Sequence, residues 1–159
     1  MRRVDYMIGP KNFAALKAEV FMQDVVSYYQ VEDTGERLAG AITEGGFGSV
    51  PILARDGKVL GIVSEFDLLK AITEGKELSK ITAGDIMTKE AITVTQETPA
   101  MEIIHLLQSK HLIRVAVVDA EGKLVGVVSR RDLLEGYARA TKPIWTLDRK
   151  STRLNSSHG

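Results

Sequence analysis

Asp56-Gly57-Lys58-Val59-Leu60-Gly61-Ile62-Val63-Ser64-Glu65-Phe66-Asp67-Leu68-Leu69 returns 65 residues later as Glu121-Gly122-Lys123-Leu124-Val125-Gly126-Val127-Val128-Ser129-Arg130-Arg131-Asp132-Leu133-Leu134. Sliding residues 21–72 onto 86–137 needs no gap and gives 11 identities in 52 positions, 8 of them within positions 57–69. A constant offset of this length marks two copies of one supersecondary unit. Identity is concentrated where a strand meets a helix, while core positions vary. That corner is therefore the first candidate for function.

Working outward, Asp56-Gly57 and Glu121-Gly122 are hairpin turns. The apolar runs at 50–53 and 115–118 enter them, and 59–63 and 124–128 leave them. Ser64 and Ser129 open the following helices. Upstream, residues 25–29 and 92–94 read as short strands. A helix begins near Asp33-Thr34-Gly35-Glu36, with Leu38, Ala41 and Ile42 inward. Its counterpart begins at Thr98-Pro99, with Pro as first helical residue and Ile103, Ile104 and Leu107 inward. Each unit is thus strand, helix, strand, strand, helix, an α/β (α+β) element. Residues 11–20 read as one amphipathic helix with Phe13, Leu16 and Val20 on one face.

The expected division is an N-terminal helical segment over 1–20, copies over 21–76 and 77–140, and a C-terminal segment over 141–147. Residues 148–159 have no apolar period. A reverse translation of them spells a common sequencing-library adapter, so the native chain is expected to be readable only to about Leu147. Removing their three basic and one acidic residues leaves 18 Lys and Arg against 20 Asp and Glu, a net charge of −2 in place of zero.

A chain of 159 residues makes one domain or two small ones. Copies of about 60 residues have marginal cores and are expected to stabilise one another. The balanced charge gives no reason to expect nucleic acid or an anionic membrane as partner. Zero Cys excludes thiol catalysis and thiolate metal sites. No apolar run fits a signal peptide or membrane span, so a cytoplasmic location is the default. His105 and His111 are off any helical ligand spacing and His158 falls in the suspected scar, so no metal site is expected. No Ser/His/Asp grouping suggests a nucleophile.

Gly61-Ile62-Val63-Ser64-x-x-Asp67 and Gly126-Val127-Val128-Ser129-x-x-Asp132 together resemble a tandem pair of CBS domains, a Bateman module. Asp85-Ile86-Met87-Thr88 opening the second copy, degraded to Val20-Phe21-Met22-Gln23 in the first, adds to the likeness. The resemblance covers about residues 20–138. It implies two βαββα repeats packed sheet to sheet around a pseudo-twofold axis, and pairing into a homodimer.

The corner also has a physical reading of its own. A Ser at a helix start sets its hydroxyl beside free backbone N–H groups and the positive end of the dipole, which suits phosphate. An Asp three residues on can accept the two hydroxyls of a ribose diol. Gly61 and Gly126 clear a strand where a ligand or a facing backbone comes close. The same Ser-x-x-Asp pattern is also a plain helix cap, which needs no ligand. In the resembling family the matching Ser and Asp hold the phosphate and ribose of adenosine-type ligands.

The two corners differ in charge. Arg130 and Arg131 lie between Ser129 and Asp132, whereas Glu65 and Phe66 occupy those places in the first copy. Arg114 precedes its strand where related modules place a phosphate-binding Arg, and Ser49 aligns with it. We therefore expect AMP, ADP or ATP at the Asp132 corner, and either nothing or a weakly charged adenosyl ligand such as S-adenosylmethionine at the Asp67 corner. The resemblance sets adenine against backbone at Ser27 and Ile92. The expected function is a non-catalytic regulatory sensor acting on an enzyme or transporter. The rival readings are a ligand-free dimerisation scaffold and the sensor fragment of a larger enzyme or transporter.

Overall fold

A computed structural model describes residues 10–24, 28–45 and 48–141. Helix α1 (Pro10–Ala15) comes first, and α2 (Ala18–Phe21) leads into the first copy with α3 (Gly35–Gly45), β1 (Ser49–Leu53), β2 (Val59–Ser64) and α4 (Glu65–Thr73). A 3-10 turn (Leu78–Lys80), α5 (Ala83–Ile86) and β3 (Thr88–Lys89) follow. The second copy continues with β4 (Thr93–Thr95), α6 (Ala100–Ser109), β5 (Arg114–Val118), β6 (Leu124–Ser129) and α7 (Arg130–Thr141). Among the described residues no helix is long and apolar enough to cross a membrane.

The expected hairpins form in matching register. Ser49 pairs with Ser64 and Arg114 with Ser129, and both ladders shift at the same place, before Leu53 and before Val118. Gly57 and Gly122 make the turns at φ of 95° and 85°, a region a side chain would strain. Asp56 and Asp119 brace the two turns, their carboxylates accepting the N–H groups of Lys58 and of Glu121 and Lys123.

The two copies then exchange their leading segments. β3 pairs with β2 through Gly61–Lys89 and Ile62–Thr88, so residues that open the second copy complete the first sheet. Ala83 is fully buried there with Leu38, Ile52 and Val63, and Ile86 and Met87 pack on the same core. In return Gln23 pairs with Val127 of β6 through reciprocal bonds of 2.8 and 3.0 Å. Ala18 and Phe21 are buried with Ile103, Val117 and Leu133 in the second core. Neither small core is complete without a segment from the other copy.

The pseudo-twofold axis appears as reciprocal bonds between the hairpin tips. Val59 N–H donates to the Gly122 carbonyl at 3.1 Å and Leu124 N–H donates to the Gly57 carbonyl at 3.0 Å. Lys58 and Lys123 face one another as an antiparallel bridge.

Several sequence expectations need correction. Residues 11–20 form two short helices broken at Leu16-Lys17. There the backbone turns to bond the other copy, with Ala100 N–H on the Leu16 carbonyl at 2.7 Å and Ala18 N–H on Thr98 at 2.8 Å. That pairing also moves Pro99 out of α6, where it becomes the N-cap and bridges Lys17. Thr34 caps α3, its hydroxyl accepting the Arg37 N–H at 3.1 Å. β4 lies one residue later than expected. Of the 25–29 strand, Tyr29 bridges Ile52 in parallel, as β4 pairs with β5, while residues 25–27 lie outside the described residues.

Candidate functional site

Both Ser-x-x-Asp corners are closed capping boxes. At the first, Ser64 N–H donates to Asp67 Oδ2 at 2.8 Å and Asp67 N–H to Ser64 Oγ at 3.2 Å. Ser129 and Asp132 repeat this at 2.8 and 3.1 Å. One carboxylate oxygen at each corner is thus committed to the helix start. The other meets a residue of the exchanged segment: Thr88 Oγ1 lies 3.5 Å from Asp67 Oδ1, and Gln23 Nε2 lies 3.3 Å from Asp132 Oδ1. A carboxylate oxygen has two acceptor sites, so these weak bonds leave Oδ1 able to take a further donor.

The sequence marks Gln23 and Thr88 only as the ends of the motifs that open the two copies, not as site residues. Their signal was available, since they are related by the same offset of 65 and both carry a donor.

Charge separates the two corners. Arg114 begins β5 opposite Ser129, half-buried, and its guanidinium interacts electrostatically with Asp132. Burial pushes that guanidinium below its ordinary value, and the Asp132 carboxylate opposes the shift. The aligned Ser49 carries no charge. A helix start, a carboxylate and a partly desolvated Arg meet at the Asp132 corner, whereas the Asp67 corner has Ser49 in place of that cation. A cavity of about 470 Å³ lies between the copies, lined by Asp24, Tyr28, Arg55 and Leu124 among others.

The CBS domain model matches residues 18–74 and 83–139.

The chain belongs to the CBS domain family.

The Methanopyrus kandleri protein MK0525 is 36% identical over 126 residues, which cover 77% of this chain and 64% of that relative's length. Among solved structures, that of CBSX2 in complex with AMP matches with a TM-score of 0.68 at 22% identity, covering 77% of this chain and 96% of that one. The CBS domain pair of MJ0100 in complex with 5'-methylthioadenosine and S-adenosyl-L-methionine matches at 0.64 and 21%, covering 77% and 95%. At these identities the structural likeness establishes the fold.

Within this CBS pair the remaining sequence-derived candidates scatter. Gly61 and Gly126 face backbone. A Cβ on Gly61 would stand 2.7 Å from the Thr88 carbonyl oxygen and 2.8 Å from Met87 Sδ, and one on Gly126 would stand 3.0 Å from the Gln23 carbonyl oxygen. A facing segment thus comes close at both glycines. Arg131 is not brought to Asp132: its Nε pairs with Glu135 Oε1 at 3.1 Å, and its side chain is 87% exposed. Arg130 lines a cavity of about 780 Å³ with Phe13, Leu107, Leu133 and Tyr137. Ile92 packs half-buried against the second core. Ser27 lies outside the described residues.

Proposed function

We propose that this CBS pair is a non-catalytic regulatory sensor that binds AMP, ADP or ATP at the Asp132 corner. Ser129 and the α7 N-terminus would hold phosphate, the Asp132 carboxylate the ribose hydroxyls, and Arg114 the phosphate charge. The observation carrying this reading is the asymmetry of two otherwise equivalent corners, with Arg114 beside Asp132 and uncharged Ser49 beside Asp67. The AMP in CBSX2 supports the ligand class. At the Asp67 corner Glu65 opens α4 and repels polyphosphate, so that corner stays empty or takes a weakly charged adenosyl compound such as S-adenosylmethionine. The 5'-methylthioadenosine and S-adenosyl-L-methionine of MJ0100 support the second option.

A ligand moves such a module only by its differential affinity for two states. At 100 times its dissociation constant it would stabilise the fold by about 2.7 kcal/mol. Titration calorimetry with AMP, ADP and ATP tests the assignment. Binding is expected to vanish in Asp132→Ala and survive in Asp67→Ala, and the opposite pattern overturns it. We also infer a cytoplasmic homodimer, its pairing supported by the exposed stripe of Phe66, Leu69 and Ile72 on α4, which are 84%, 57% and 52% exposed.

The completed capping boxes favour a second reading, in which the pair is a ligand-free scaffold. A melting temperature unmoved by every nucleotide would favour it. A third reading, the sensor part of a longer enzyme or transporter, draws on the chain spanning 64% of MK0525 and 32% and 22% of two further relatives that are enzymes by name. Sequence of the gene beyond codon 147 decides it.

A further inference from the structure

α4 and α7 are equivalent helices of the two copies, and both leave an apolar stripe on the surface. Leu69 and Ile72 are 57% and 52% exposed, and the residues 65 places on, Leu134 and Tyr137, are 70% and 43% exposed. Lys70 and its equivalent Glu135 each follow the central leucine, so the two stripes carry opposite charges at the same flank. The helices differ in sum as well. α4 holds one basic residue against two acidic ones, a net charge of −1, and α7 holds three basic against two acidic, a net charge of +1. Among the described residues Lys70 belongs to no ion pair. Glu135 accepts Arg131 Nε through Oε1 alone, which leaves Oε2 for a further donor.

We propose that two copies of this chain pair crosswise, with α4 of each lying on α7 of the other. The pairing rests on the homodimer proposed above and specifies which surfaces meet in it. A twofold dimer can join these faces in two ways: each helix meets its own twin, or α4 meets α7 twice. The pseudo-twofold makes the two faces alike in shape, and burying the leucines favours either arrangement to a similar degree. Charge separates them. When two facing helices run antiparallel about a twofold, the same flank of each lies on the same side of the contact. Lys70, one residue from the centre of its stripe, then meets its equivalent across the axis. Twin pairing sets Lys70 against Lys70 and Glu135 against Glu135, and it brings two helices of like net charge together. Crosswise pairing sets Lys70 against Glu135 of the partner subunit at both contacts, and α4 against a helix of opposite sign. Like charges held together count against one arrangement while unlike ones support the other, so the choice of partner face is electrostatic.

The chain has no cysteine, so introduced thiols report the pairing without background. Leu69→Cys and Leu134→Cys are made as separate full-length proteins and oxidised at a concentration where sedimentation shows the unaltered protein as a dimer. Both side chains are exposed, so neither change opens the core. Each variant alone is expected to stay free of disulfide dimer, and an equal mixture of the two is expected to form it. Lys70→Glu should raise the dissociation constant of the dimer about tenfold, and adding Glu135→Lys to the same chain should restore it. A disulfide dimer in Leu69→Cys alone would show twin pairing and overturn the proposal, while the homodimer itself stood. So would a dimer that Lys70→Glu leaves unchanged, or one that neither the single variants nor the mixture cross-links. A chain that sediments as a monomer at every concentration would instead overturn the homodimer and this pairing together, leaving both stripes to a different partner.

Discussion

Gln23 donates its side-chain amide to Oδ1 of Asp132 at 3.3 Å across 109 residues of chain. The pseudo-twofold repeats this contact as Thr88 on Asp67. In each case the exchanged segment places a donor on the one carboxylate oxygen that the helix cap leaves available. A ribose hydroxyl arriving at Asp132 would meet Gln23 as a competitor. Gln23→Ala is therefore expected to strengthen AMP binding by a few fold while costing the fold under about 1 kcal/mol, the worth of one exposed hydrogen bond. Calorimetry and urea unfolding measure the two effects separately. A weakened affinity would instead make Gln23 a ligand contact.

Gly61 and Gly40 should respond in opposite directions to the same substitution. A methyl group on Gly61 runs into the Thr88 carbonyl and Met87, where backbone cannot yield, so Gly61→Ala is expected to cost about 1–3 kcal/mol. Gly40 lies inside α3 with nothing within 4 Å of an added Cβ, and Gly40→Ala should stabilise by about 0.5–1 kcal/mol through helix propensity. Denaturant midpoints decide both. A neutral Gly61→Ala would show that β3 does not sit tightly on β2.

Phe21 tests the exchange itself. It belongs to the leading segment of the first copy, yet it is buried in the second core, edge-on to Phe13 at 5.5 Å between ring centroids and against Gly136. Phe21→Ala is expected to cost about 3–5 kcal/mol. Its counterpart Ile86 is only half-buried, and Ile86→Ala should cost less, about 2 kcal/mol. Hydrogen exchange should show Phe21→Ala loosening α6 and α7 before α3. Uniform loss of protection over both copies would mean that the two cores unfold as a single unit.

Acid should weaken the fold through two braces. Asp85 is held below its ordinary value of 3.8 first by the Thr82 backbone N–H and then by the Thr82 side chain. Asp119 is held below 3.8 first by the Lys123 N–H. A carboxylate with a lowered folded pKa binds fewer protons folded than unfolded. Its contribution is complete above the unfolded value near 3.8 and is lost as pH falls through the lower folded value. Urea unfolding between pH 5 and pH 3 should show stability falling with acid, with a shallower slope in Asp85→Asn and Asp119→Asn. An unchanged slope in both variants would remove these two groups from the acid response.

The hairpins and both caps were legible in the residues because each depends on neighbours within a few positions. Gly57 supplies a positive φ, and the Ser64–Asp67 and Ser129–Asp132 pairs close rings within one helical turn. Arg114 entered through the family likeness, and its electrostatic contact with Asp132 arises from β5–β6 pairing. The single helix over 11–20 failed because apolar period says nothing of backbone bonds to a distant segment, and Leu16 and Lys17 answer to Pro99 and Ala100. The direction of Arg131 was hidden for a related reason. Its position along the helix start was readable, but Glu135 draws its guanidinium along α7.

By itself the amino-acid sequence determined that this protein holds two equivalent α/β units, each with a serine and an aspartate where a strand becomes a helix. Periodicity and turn chemistry are short-range, and a repeat offset is visible without coordinates. Only the tertiary structure decided that the units trade their opening segments and that Gln23 and Thr88 stand on the two aspartates. Those outcomes come from burial and from hydrogen bonds spanning the whole chain. A small core that cannot close alone takes its missing strand and helix from the other copy.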